Sequence, residues 1–195
     1  KVGTMEKYGL GYAELEKLNP GLVYCSITGF GQTGPYAARP GYDTIMQALG
    51  GVMSVTGRED GKPGEGPVRV GVPVIDFMSG LYATIAIQAA LAHRQKTGRG
   101  QQIDLALLEV GISSLTNVAM NYLVTGEVPK RRGNRLPTVY PSDAFPCSDG
   151  YLMMIIGDDG QFARFCEAAG VPALAKDERF SSNPLRVQNA DALSD

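Results

Sequence analysis

The sequence has a single histidine, His93, and that scarcity removes whole classes of chemistry. A Ser–His–Asp triad has no candidate base anywhere else in the chain. His93 itself lies beside Arg94 and Lys96 near the end of a long helical stretch, where an exposed or helix-capping residue is expected. Cysteine is nearly as sparse. Cys25, Cys147 and Cys166 are odd in number, far apart, and form no C-x-x-C pair. A metal site needs closer ligands, so no metal is expected, and reduced thiols of a cytoplasmic protein are the simplest reading. Charged residues make up only 19% of the chain and the formal net charge is -2. No polyanion-binding surface follows from that balance, which excludes nucleic acid as an expected partner. No uninterrupted apolar run reaches the ~18 residues of a membrane span, so no membrane is expected as a partner either. The chain starts at Lys1 rather than Met and stops at Asp195 without a closing element, so it reads as a fragment whose natural ends are missing.

What remains is a chain of 195 residues, 44% hydrophobic, with 25 glycines and 12 prolines. That is enough to bury a core, with many turns, over one domain or one and a half. Residues 1–18 read as a short helical pattern interrupted by Gly9-Leu10-Gly11. Asn19-Pro20-Gly21 is a turn. Leu22–Thr28 is apolar and partly β-branched, as a buried strand is. Residues 29–41 form a loop rich in glycine and proline, and 42–53 are helical. Residues 57–69 are polar and glycine-rich, an exposed loop. Val70–Ile75 reads as a second strand ending at Asp76, followed by a long apolar helix over 77–95. That helix is closed by a basic last turn and glycines. Residues 102–107 are strand-like and 109–124 helical. Strand alternating with helix predicts an α/β fold with a parallel, Rossmann-like sheet layer. The texture changes at 126–141, a basic, turn-rich linker. Two strands around Ser148-Asp149-Gly150 and a helix over 161–169 then begin a smaller α+β domain. The expected organisation is therefore 1–125, linker 126–141, and 142–195.

Four features carry chemistry. Gly29-Phe30-Gly31-Gln32-Thr33-Gly34 spells G-x-G-x-x-G after a strand. A dinucleotide site would need a helix to start there, and Pro35 followed by Arg39-Pro40-Gly41 prevents one. A tight glycine loop, or one approached closely by a ligand, is the better reading. Asp76 stands at a predicted strand-to-helix junction, the place where ligands gather in parallel α/β sheets. A carboxylate there suits covalent catalysis, and it equally suits a helix N-cap. Tyr42 and Asp43 stand where the glycine loop meets a helix, with packing and capping as their plain alternatives. Lys130-Arg131-Arg132 is either a solvated basic run or a contact to ligand phosphates.

In combination these strings resemble a known family. Gly41-Tyr42-Asp43, Gly50-Gly51-Val52-Met53, Val74-Ile75-Asp76-Phe77-Met78-Ser79-Gly80 and Lys96-Thr97-Gly98-Arg99-Gly100-Gln101 occur in the order seen in class III coenzyme A transferases. Asn19 to Pro35, Gly133-Asn134-Arg135 and Gly160-Gln161-Phe162 extend the resemblance over essentially the whole chain. The superfamily includes formyl-CoA, carnitine-CoA and succinyl-CoA-dependent transferases and alpha-methylacyl-CoA racemases.

The resemblance implies that Asp76 is the nucleophile, with Tyr42, Asp43, Arg39 and Arg135 as substrate-binding residues and Gly29, Gly31 and Lys130 as contacts to CoA. It implies an acyl-CoA donor, a small carboxylate acceptor, no permanently bound cofactor, and an interlocked homodimer. Racemases of the superfamily carry a histidine in the place of Tyr42. A tyrosine, with a reference pKa of about 10, is a weak base at neutral pH, so Tyr42 favours transfer. Formyl-CoA transferases carry a glycine run after the linker. Arg135-Leu136-Pro137-Thr138-Val139-Tyr140 has none and looks closer to the succinyl-CoA-dependent dicarboxylate branch, in which Arg39 and Arg135 would hold a second carboxylate. An acyl-CoA racemase and a non-catalytic acyl-CoA-binding relative are the alternatives.

Overall fold

A computed structural model describes residues 1–194. They form two compact units, one built from residues 1–57 and 66–131, the other from 58–65 and from Arg132 onward. The division falls inside the segment read as a linker, and the loop at 58–65 goes with the second unit.

The first unit is α/β, as expected. After α1 (Tyr12–Leu18), strand β1 (Val23–Thr28) pairs in parallel with β4 (Gln101–Ala106), from Val23 opposite Gln101 to Thr28 opposite Ala106. Between them in sequence come α2 (Asp43–Leu49), α3 (Val52–Val55), the two-residue strands β2 (Gly57–Arg58), of which Arg58 belongs to the second unit, and β3 (Gly66–Pro67), and α4 (Val74–Thr97). Helices α5 (Leu107–Ser113) and α6 (Thr116–Thr125) follow β4. The expected single helix over 42–53 is thus two, because Gly51 turns left-handed at φ 88°. The expected helix over 109–124 is also two, broken at Ser114 and Leu115.

Helix α4 packs against β1, β4, α2 and α5. The core beneath it is Met46, Ile75, Leu107 and Val110, flanked by Phe30, Val74 and Met78. Gly98, at φ 73°, ends the helix by donating its N–H to the Arg94 carbonyl. Length and composition alone would let α4 cross a membrane, contrary to the expectation from uninterrupted apolar runs. The Ser, Thr, Gly and Gln residues that interrupt such runs are small or uncharged and leave the helix apolar on average. A core helix passes the same test.

The strand expected at Val70–Ile75 does not form. Pro73 lacks an N–H and sits at φ -74°, and the helix begins at Val74. Asp76 therefore lies in the first turn of α4, at a loop-to-helix junction. The helix N-cap is Pro73, not Asp76.

In the second unit, β5 (Ser142–Cys147) and β6 (Gly150–Ile155) form the expected antiparallel hairpin. Helix α7 (Asp159–Ala168) is capped by the Asp158 carboxylate, which accepts from Gln161 N at 2.7 Å. Two short helices, α8 (Asn183–Gln188) and α9 (Ala190–Ser194), complete it. Its core is Ile156, Phe162, Cys166 and Phe180.

Candidate active site

The glycine loop is closed at its neck by backbone touching backbone. A Cβ on Gly41 would lie 2.4 Å from the Gly29 Cα and 2.5 Å from the Met46 methyl. Only glycine permits that approach at both positions. Gly31, at φ 83°, donates its N–H to Thr28 Oγ1 at 3.0 Å, and Gln32 N donates to Asp104 Oδ2 at 2.8 Å. These two amides are satisfied internally, so they are not free to cradle a phosphate. Above the neck, the Arg39 guanidinium lies 4.2 Å from the Tyr36 ring centre, and Tyr36 meets Phe30 edge-on at 5.4 Å.

The chain leaves the neck directly into Tyr42 and Asp43. Tyr42 holds the N-cap position of α2 by backbone alone, and its side chain is 72% exposed. Asp43 is only 8% exposed, and it caps a different helix from its own. Its Oδ2 accepts from Ile75 N at 2.7 Å and from Asp76 N at 3.1 Å. A buried carboxylate is thus placed against the unpaired amides of the first turn of α4, where the helix dipole favours negative charge. Ile75, fully buried in the core, anchors the same turn from below.

Between those two fixed points Asp76 points outward with its side chain exposed. Partial burial first, and the Asp43 charge second, raise its carboxyl above the ordinary carboxylate value. Geometry thus separates two neighbouring acids. One is locked into backbone hydrogen bonds, and the other is an open, more basic carboxylate on a rigid helix end.

Lys130 is exposed in the first unit. Arg135 belongs to the second, and its guanidinium is already committed. It reaches Asp143 Oδ2 at 3.0 Å, Asp191 Oδ1 at 2.5 Å and Ser194 Oγ at 3.0 Å. These contacts order the Arg135 guanidinium within the second unit. The residue the sequence reading missed is Gln47. Its signal is the spacing to Asp43, four residues along one helix face. No group of three or more metal-ligating side chains occurs among the described residues.

The α/β unit thus presents an exposed carboxylate of raised pKa in the first turn of a helix whose opening amides are held by Asp43. The family model for CoA-transferase family III matches residues 1–195. The succinate–glutarate CoA-transferase of Agrobacterium fabrum is 50% identical over 183 residues, covering 94% of this chain and 45% of that protein. The succinyl-CoA:glutarate CoA-transferase of Mus musculus is 44% identical over 191 residues, covering 98% and 43%. A crystal structure of a CAIB/BAIF family protein from Brucella suis matches with a TM-score of 0.89 at 49% identity, covering all of this chain and 50% of that one. The chain belongs to CoA-transferase family III. It spans about half the length of the curated relatives it matches.

Proposed function

We propose that the protein carrying this chain is a class III CoA-transferase that moves CoA from an acyl-CoA, succinyl-CoA foremost, to a small dicarboxylic acid, with Asp76 as nucleophile. One observation carries the reading. Asp43 and Ile75 fix the first turn of α4 while the Asp76 carboxylate stays open and has its basicity raised. The named relatives supply the substrate class, since the Agrobacterium fabrum and mouse proteins act between succinate and glutarate by name.

In the first step the Asp76 carboxylate attacks the thioester carbonyl, forms a mixed anhydride and releases CoA thiolate. The thiolate attacks the aspartyl carbonyl, expels the donor acid and leaves an aspartyl-CoA thioester. The acceptor carboxylate then attacks that thioester and regenerates thiolate, which takes the acceptor acyl group from the second anhydride and frees Asp76. Each bond broken is replaced by one of similar energy, so no ATP is consumed. Partial desolvation and fixed orientation make a weak nucleophile competent. Tyr42 is the wrong residue type for proton exchange at an α carbon, which disfavours a racemase.

The same reading assigns Arg39 to the second carboxylate of a dicarboxylic substrate and an interlocked homodimer as the assembly. Phe77, Leu81 and Ile85 support the dimer, because they bare an apolar stripe along α4. The test is Asp76→Asn in the whole protein. Exchange between succinyl-CoA and glutarate should fall by about 10³-fold or more. Borohydride or hydroxylamine should trap an adduct on Asp76 of the unmodified enzyme. Undiminished exchange in the variant refutes the assignment.

A further inference from the structure

Gln47 is fully buried, at 0% exposure, and no step of the proposed reaction employs it. A primary amide is kept in an interior only when it is hydrogen-bonded, and here the bonds all lead toward Asp76. Its Nε2 donates to Asp43 Oδ1 at 2.5 Å and lies 3.5 Å from the Val72 carbonyl. Its Oε1 accepts from Val70 N at 2.8 Å. The two oxygens of Asp43 are thereby given separate tasks, with Oδ1 on Gln47 and Oδ2 on the first turn of α4. The segment that leads into α4 is braced a second time by the Arg69 guanidinium, which donates to the Val70 carbonyl at 3.2 Å and the Gly71 carbonyl at 3.1 Å.

We infer that Gln47 is a positioning residue for the Asp76 nucleophile: it fixes the rotation of the Asp43 carboxylate and the path of residues 70–72, and so sets the angle at which α4 presents Asp76 to a thioester. The inference rests on the assignment of Asp76 above. Gln47 touches neither substrate nor the reacting atoms. Its loss should therefore lower the rate of bond formation and leave the binding of the acyl-CoA nearly unchanged. A displacement of about 1 Å at a reacting atom costs about 10²-fold in rate.

Two substitutions in the whole protein test this, with succinyl-CoA and glutarate as substrates. Gln47→Met removes every polar contact at similar volume. Its kcat per folded site should fall about 10–100-fold while KM for succinyl-CoA stays within about threefold. Gln47→Glu keeps the shape and replaces the donor by a titratable group. Ionised, the new carboxylate opposes Asp43. Protonated, its O–H donates to Asp43 Oδ1 and its other oxygen accepts from Val70 N. The ratio of this variant's kcat to that of the unmodified enzyme should thus rise about tenfold or more as pH falls from about 8 to about 5.5. Helices α3, α4 and α5 pack on α2. The ionisable groups around this position are Asp43 on α2, Asp76 on α4, Glu109 on α5 and Arg69 before α4, and α3 carries none.

A kcat for Gln47→Met within twofold of the unmodified enzyme overturns the inference. So does a ratio for Gln47→Glu that does not change with pH, and that measurement remains decisive where the methionine variant fails to fold. Asp76→Asn assayed alongside separates the two claims. If it retains exchange, the assignment of the nucleophile is what has failed.

Discussion

Two charged clusters in this chain are built on opposite plans. In the first unit, Asp43 and Asp76 are two like charges brought side by side, and only one of them is satisfied. In the second unit, Arg135, Arg179 and Arg186 each meet a carboxylate. Arg186 is wholly buried. It donates to the Tyr140 carbonyl at 3.0 Å and the Phe180 carbonyl at 3.1 Å, lies over the Phe162 ring, and has Asp159 2.9 Å from Nη2 at an angle that makes no hydrogen bond. The pKa values follow the plans. Asp76 is pushed up, whereas the Asp191 carboxyl is pulled down by hydrogen bonds from Arg135 and Lys62. An opposite charge within reach lowers a carboxyl's pKa, and a like charge raises it.

The contrast can be broken at its strongest point first. Arg186→Ala should cost about 3–5 kcal/mol, since it leaves two buried carbonyls unpaired and a cavity under Phe162. Urea denaturation should show it, and a loss under about 1 kcal/mol would mean the second unit does not depend on its buried cation. Asp43→Ala strips the first turn of α4 and leaves Gln47 Nε2 with only its longer contact to the Val72 carbonyl. It should cost about 2–3 kcal/mol and expose the Ile75 and Asp76 amides to hydrogen exchange. Unchanged protection at those two amides would remove the capping role. Gly41→Ala drives a methyl into Gly29 and Met46, and a loss of about 1–3 kcal/mol in thermal or urea melts is expected. A neutral result would show that the loop neck is loose.

The smallest effect sharpens the comparison through pH. The folded chain raises the Asp76 pKa, so folding disfavours its ionised form. The resulting stability is present below the unfolded value near 3.9 and is lost as pH rises through the raised folded value. Asp76→Asn should therefore be the more stable protein at neutral pH. The gain is at most about 0.5 kcal/mol because the side chain is exposed and screened. The gain should vanish below about pH 4, where both forms are neutral. A variant less stable than the parent at pH 7 would contradict the acid-pair account.

Much of this arrangement was legible in the sequence, and the exceptions share one physical cause. Strand Gln101–Ala106 was read one residue late, at 102–107, and the hairpin around Ser148-Asp149-Gly150 was visible from its turn residues. The strand Val23–Thr28 was visible because an apolar, partly β-branched run between turn residues leaves few alternatives. Val70–Ile75 carries the same local signal and yet turns into helix at Val74. The group that caps that helix is Asp43, more than thirty residues earlier, and no local window contains it. Gln47 was overlooked because a glutamine on an amphipathic helix is usually solvated. The partners of Arg135, Asp143 and Asp191, were not visible because they come together only in the folded unit. The position of Asp76 was found from residue order, whereas its surroundings required long-range contacts.

The touching backbones of Gly29 and Gly41 separate two jobs that a loop usually combines. Phe30 and Gln32 stay tied to the core and to Asp104, and the chain beyond them is returned to the same point before it enters α2. The outer excursion carrying Tyr36 and Arg39 can thus vary while Asp43 stays in register with α4.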